Sequence, residues 1–179
     1  IKLALAVPLF DQGKVLGTFT IHENTGVSTI NIVKDGAQPS VAYDPSNNRY
    51  LVVWTLDALG DGSDWDIYGR FIPWSGPSSS YSAFPICTWG SKQWNPQVVH
   101  NDHPAWGEFL VVWWNETGTP VPAYVSGRRV FGNDTGGGFP GGGFTIASDT
   151  TDHFLNPDVA YNLARNEYLV VYDKNSSDI

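Results

Sequence analysis

One stretch of this sequence occurs three times. The first copy reads Gln38-Pro39-Ser40-Val41-Ala42-Tyr43-Asp44 and then Asn48-Arg49-Tyr50-Leu51-Val52-Val53-Trp54. The second reads Asn95-Pro96-Gln97-Val98-Val99-His100-Asn101 and then Gly107-Glu108-Phe109-Leu110-Val111-Val112-Trp113. The third reads Asn156-Pro157-Asp158-Val159-Ala160-Tyr161-Asn162 and then Asn166-Glu167-Tyr168-Leu169-Val170-Val171-Tyr172. Leu51, Leu110 and Leu169 follow one another at intervals of 59 residues. A period of this size marks one supersecondary unit used repeatedly, so the fold must stack copies of that unit on one another.

Each copy is punctuated alike. Pro opens a short strand of the Val-Ala-Tyr type, and an Asx-rich turn follows. The aromatic-Leu-Val-Val-aromatic run is nearly continuous apolar sequence, the pattern of a strand covered on both faces. Asp66–Ile72 and Tyr124–Val130 predict a third strand. Ala83–Ile86 and Gly143–Ala147 predict a fourth, reached through Gly- and Ser-rich loops. Composition agrees: 14% aromatic residues, 19 Gly and 12 Pro against 16% charged residues favour short strands and turns over helices.

The expected fold is therefore all-β, a single domain over residues 1–179. It would consist of three four-stranded antiparallel, blade-like units over about 38–94, 95–155 and 156–179. The third unit stops at Asp178-Ile179, where its third strand should begin. Lys2 to Val7 reads as a strand, Asp11–Lys14 as a turn, and Leu16–Ile21 as a fourth strand. Residues 1–37 would thus complete the third unit, with Lys2, Leu3, Leu5, Val7, Phe19 and Ile21 as assembly-strand residues beside Asp178 and Ile179. The chain opens on Ile1, which fits a processed product, a fragment or a repeat unit.

The Pro-x-Val-Ala-Tyr-Asn, Tyr-Leu-Val-Val-Trp and Asp-Ile-Tyr-Gly-Arg patterns resemble propeller-type repeats of large secreted bacterial proteins, mostly of unknown function. The resemblance covers residues 38–179 well and 1–37 loosely. The second copy departs from it, with Tyr124 where Asp66 and Asp178 stand. The resemblance implies a propeller-like fold and an extracellular or cell-surface setting, and it brings no catalytic residues. Propellers have 4–8 blades, so three units invite a six-bladed dimer, a piece of a longer propeller or an open head-to-tail array. A β-trefoil-like three-fold closure is the alternative.

The formal charge of −8 and the single adjacent basic pair, Arg128-Arg129, argue against nucleic acid and anionic lipid as partners. No apolar run approaches the ~20 residues of a membrane-spanning helix. Cys87 is the only cysteine, which excludes an intrachain disulfide and reads as a small apolar residue of the interior.

Several groups could carry chemistry. Asp57, Asp61, Asp64 and Asp66 lie in or beside a Gly-rich loop. They suit Ca²⁺ by ligand type but not by the spacing of a helix–loop–helix site, and turn formation at a loop tip is the simpler reading. His100 and His103 flank Asp102 without the further ligands zinc needs. Trp65, Trp74, Trp89, Trp94 and Trp106 could stack on sugar rings, or pack loops over strand ends. Asn115, Asn133 and Asn175 fit the Asn-x-Ser/Thr glycosylation pattern and fall in expected loops. A glycosidase would need two carboxylates in one pocket. No nucleophile, phosphate-loop or dinucleotide motif occurs. The sequence thus predicts a non-catalytic extracellular structural module without a required cofactor. It would be a surface-fibre subunit or part of an adhesin, joined to itself head-to-tail or in a closed homo-oligomer by strand complementation. A glycan-binding module is the second expectation and a propeller-type glycosidase the third.

Overall fold

The computed structural model describes residues 7–11, 14–22, 27–31, 38–57, 60–74, 82–103, 107–118, 122–133, 136–139 and 141–176. All regular structure among them is β. The first repeat is a four-stranded antiparallel meander of β4 (Ser40–Asp44), β5 (Arg49–Asp57), β6 (Trp65–Pro73) and β7 (Phe84–Cys87). It is preceded by β1 (Val7–Asp11), β2 (Lys14–His22) and β3 (Val27–Asn31). The second repeat runs through β8 (Lys92–Asn101), β9 (Glu108–Glu116), β10 (Tyr124–Asn133) and β12 (Phe144–Ala147). Within it the short β11 (Gly136–Gly138) and β12 share one edge of β10, at Phe131–Asn133 and Val125–Gly127. The third consists of β13 (Asp152–Asn162) paired with β14 (Glu167–Ser176).

The repetition extends to backbone register. Leu51 lies opposite Ala42, Leu110 opposite Val99, and Leu169 opposite Ala160. Val53 faces Gly69 in the first unit, and Val112 faces Gly127 in the second. Both glycines keep space for the fourth strand. A Cβ on Gly69 would lie 2.8 Å from Ile86 Cδ1 and 3.4 Å from the Phe84 ring. One on Gly127 would lie 3.0 Å from Ile146 Cδ1 and 3.3 Å from the Phe144 ring.

The turns repeat as well. Asn48, Gly107 and Asn166 occupy equivalent hairpin positions with φ of 48°, 44° and 51°, a left-handed conformation that Gly and Asn tolerate best. Asn95 and Asn156, each before a proline, also have positive φ and sit where the register of β8 and β13 slips. These are β-bulges, and a bulge is one of the few places where a strand accepts proline, which has no N–H to give. Pro96 and Pro157 therefore lie inside long strands; they do not open short ones as the sequence suggested.

The core lies between units. Leu51, Val53, Ile67, Phe71 and Ile86 on one face of the first sheet pack against Val98, Phe109, Val111, Trp113 and Val130 of the second. Leu110 and Val112, which alternate with these on β9, face the other way and are also buried. The third unit packs on that side, with β13 against β8 and β9. Equivalent inner-strand residues meet in a row: Asn95 N donates to Gln38 Oε1 (2.8 Å), and Asn95 Nδ2 to Asn156 Oδ1 (3.5 Å). The second and third units thus each lay one face on the unit before.

The amino-terminal strands behave differently from the expectation. They form a sheet of their own in the order β1-β2-β3. β2, expected to be a fourth strand, is paired on both sides, whereas the fourth strand β7 lies at a sheet edge. β2 also carries Gly17 opposite Leu9 of β1, as Gly69 lies opposite Val53. It therefore matches a third strand, and β1 holds the place expected for a second. Val7, Phe19 and Ile21 belong to this sheet; Lys2, Leu3, Leu5, Asp178 and Ile179 lie outside the described residues. Among the described residues no strand pairs with the free edge of β14. No helix among them is long and apolar enough to cross a membrane.

Candidate functional site

The third unit has the apolar pattern of its two predecessors without their cover. Leu51 and Leu110 are 0% and 3% exposed, and their equivalent Leu169 is 65% exposed. Val53 and Val112 are fully buried, and their equivalent Val171 is 54% exposed. Leu169 and Val171 share a face of β14. Among the described residues the strand is also paired on one edge only, whereas β5 and β9 are paired on both. This face and edge form the largest departure from the repeat. The sequence of β14, which is that of a buried strand, does not reveal it.

A second feature joins the first two units. Asp44, fully buried at the end of β4, accepts from the backbone N–H groups of Ser46 and Asn47 and from Arg49 Nε (3.1 Å). His100 of the second unit places Nε2 3.5 Å from Asp44 Oδ1 and Nδ1 2.6 Å from Asp102 Oδ1. Burial pushes the Asp44 carboxyl up. The hydrogen bonds of Asn47, the charge of His100 and the Arg49 bond outweigh it, and the net shift is downward. Arg49 continues across to the Gly132 carbonyl (3.1 Å) and lies over the Phe71 ring. The sequence hid this linkage, although one sign was legible: His100 stands where the other copies have Tyr43 and Tyr161.

The tryptophans pack mainly on one another. Trp65 stacks on Trp94 at 4.9 Å between ring centroids, and Trp94 on Trp114 at 6.3 Å. Trp65 Nε1 donates to the Gly62 carbonyl, and Trp94 Nε1 to Glu116 Oε2. Trp89 meets Trp113 edge to face. Trp74 and part of Trp89 are exposed, and Trp106 lies outside the described residues.

The acidic loop is held by its own carboxylates. Asp57 accepts from Gly60 N (2.8 Å) and Gly62 N (3.0 Å). Asp61 accepts from the Ser63 hydroxyl and N–H, which lower its carboxyl below the ordinary range. Asp66 is buried, and burial, with the Asp64 charge adding, pushes it up to about 6. Among the described residues no three His, Cys, Asp or Glu side chains gather in a metal-holding group. Cys87 is buried and pushed up to about 12, chiefly by burial, so its thiol stays protonated and inert.

The glycosylation positions do not fall in loops. Asn115 lies within β9 and is fully buried. Its Oδ1 accepts from Trp113 Nε1 (3.1 Å), and its Nδ2 donates to the Tyr124 carbonyl and to Ser126 Oγ. With its amide nitrogen engaged and enclosed, Asn115 is a structural residue. Asn133 ends β10, paired with Gly136. Asn175 is exposed on β14, opposite His153. The Gly-rich run expected as a flexible loop supplies β11 and, through Phe139, a ring that lies against Phe84 and under Arg128.

No protein family, no curated protein and no solved structure matches the chain.

Proposed function

We propose that the chain is a non-catalytic structural module of an extracellular or cell-surface assembly, and that its third unit is the joint at which chains are joined. The observation that carries this reading is the contrast between Leu169 and Val171, exposed, and their buried counterparts in the first two units. Exposed apolar side chains clustered on one sheet face mark an interaction surface more often than a solvated one. The edge of β14 that no described strand covers adds backbone donors and acceptors that a neighbouring strand can satisfy. The acidic charge, the propeller-like repeat and the inert Cys87 thiol support a structural role over a chemical one.

The test is size-exclusion chromatography with light scattering across a range of protein concentrations. The reading expects association that deepens with concentration. A compact monomer at every concentration would overturn it. Glycan binding, the second reading, rests on the exposed Trp74 and Trp89. A glycan array that loses its signal on Trp74→Ala or Trp89→Ala would support it, and an array without hits would remove it.

A further inference from the structure

The two ends of the repeat stack are complementary. On β5 the side chains of Tyr50, Val52 and Trp54 point away from the second unit, opposite to Leu51 and Val53. Val52, Trp54 and Ile72 form a separate buried cluster on that outward face. Beside it Val41, Tyr43 and Tyr50 remain exposed, the two tyrosine rings 5.0 Å apart. Their pairings fix the face: Val41 lies opposite Val52, and Tyr43 opposite Tyr50.

The equivalents in the second unit are Val98, His100 and Phe109, all buried. Val98 and Phe109 are packed against Leu51, Val53 and Phe71 of the first unit. In the third unit the equivalents are Val159, Tyr161 and Tyr168, turned toward the second unit, where Tyr168 Oη meets Glu108 Oε1 at 3.4 Å. One kind of contact is therefore made twice within the chain. A valine–aromatic face of one unit is laid on the Leu-Val face of the unit before it. Among the described residues Leu169 and Val171 are exposed at one end and Val41, Tyr43 and Tyr50 at the other, while Val52 and Trp54, beside the latter, are covered within the chain.

We propose that the Leu169–Val171 face of one molecule receives the Val41–Tyr50 face of a second copy, head to tail. This rests on the assembly reading above and names its partner. The contact would resemble the two interfaces already inside the chain at the exposed Val41, Tyr43 and Tyr50, and it is heterologous, so each molecule uses two different surfaces. Two molecules joined at both ends would bring together six units, within the range of natural propellers. A single joint gives an open array.

The test separates the two surfaces. A head variant carries Val41→Lys and Tyr50→Lys; a tail variant carries Leu169→Lys and Val171→Lys. Each is measured alone and mixed in equal amounts by sedimentation velocity, with circular dichroism to establish folding. Thr pairs at the same positions replace any Lys pair that does not fold. The wild type is expected to associate, and each variant alone to stay at the 19.6 kDa of one chain. The mixture is expected to double that mass and go no further, because it holds one intact head and one intact tail. A wild type that associates while the mixture stays monomeric would overturn the head-to-tail contact alone, as would a head variant that still associates by itself. A wild type that is monomeric throughout would overturn the assembly reading as well.

Discussion

Leu51, Leu110 and Leu169 are one position of one repeat in three packing environments, and truncating each to alanine separates sequence from context. Leu51 and Leu110 are essentially buried, so the substitution removes the transfer energy of the lost methyl groups and leaves a cavity, together about 2–5 kcal/mol. Against a total stability of about 5–15 kcal/mol for a domain, either loss is large. Leu169 is 65% exposed and buries only about a third of its surface. Full burial of a leucine is worth about 1.5–3 kcal/mol, so Leu169→Ala should cost about 0.5–1 kcal/mol with no cavity term. Urea unfolding of dilute protein, followed by tryptophan fluorescence, gives the three midpoints. The expected order is Leu51→Ala and Leu110→Ala far below wild type and Leu169→Ala close to it, with one slope for all. A Leu169→Ala loss equal to the others in dilute solution would refute the reasoning, because the third unit would then be covered by its own chain.

Four further outcomes follow. Asp66 holds its proton up to about 6 when folded, against an ordinary 3.8. Between those values the folded chain carries the extra proton, so stability falls as pH rises, and the whole penalty is present above about 6. Asp66→Asn should therefore raise Tm at about pH 8 by the equivalent of roughly 3 kcal/mol and leave it unchanged near pH 3; an equal effect at both would refute the burial argument. Val111→Asp places a carboxylate in the interface between the first two units at a cost of several kcal/mol, and normal melting would mean that β9 is misassigned. Gly69→Ala and Gly127→Ala should each lower stability by about 1–3 kcal/mol, because a Cβ crowds the fourth strand in both units; unchanged unfolding midpoints would count against it. Cys87 should resist thiol reagents in the folded chain and react on addition of denaturant, and rapid labelling of native protein would contradict its burial.

The strands of the first two units were legible because periodicity, turn residues and apolar runs are local and were reinforced by repetition. The bulges at Asn95-Pro96 and Asn156-Pro157 were not, since a proline reads as a strand opener until the register on both sides is known. Asn115 shows the same limit. Its triplet is a local pattern, while its enclosure by Trp113, Tyr124 and Ser126 depends on β10 lying alongside β9. The role of β2 could not be read from its apolar alternation, which suits a third strand and a fourth equally. What distinguishes them is a neighbour on each side. The bare face of the third unit was hidden for the opposite reason: its sequence is that of a buried strand, and only the packing leaves it uncovered.

Amide hydrogen exchange across β14 at low and high protein concentration tests the central claim most directly. In dilute protein the amides of Leu169–Tyr172 that face the free edge should exchange quickly, while those bonded to β13 are protected. On concentration the edge amides should gain protection as a strand of a neighbouring molecule pairs with that edge. Full protection of that edge in dilute protein, or no gain at any concentration, would contradict the account.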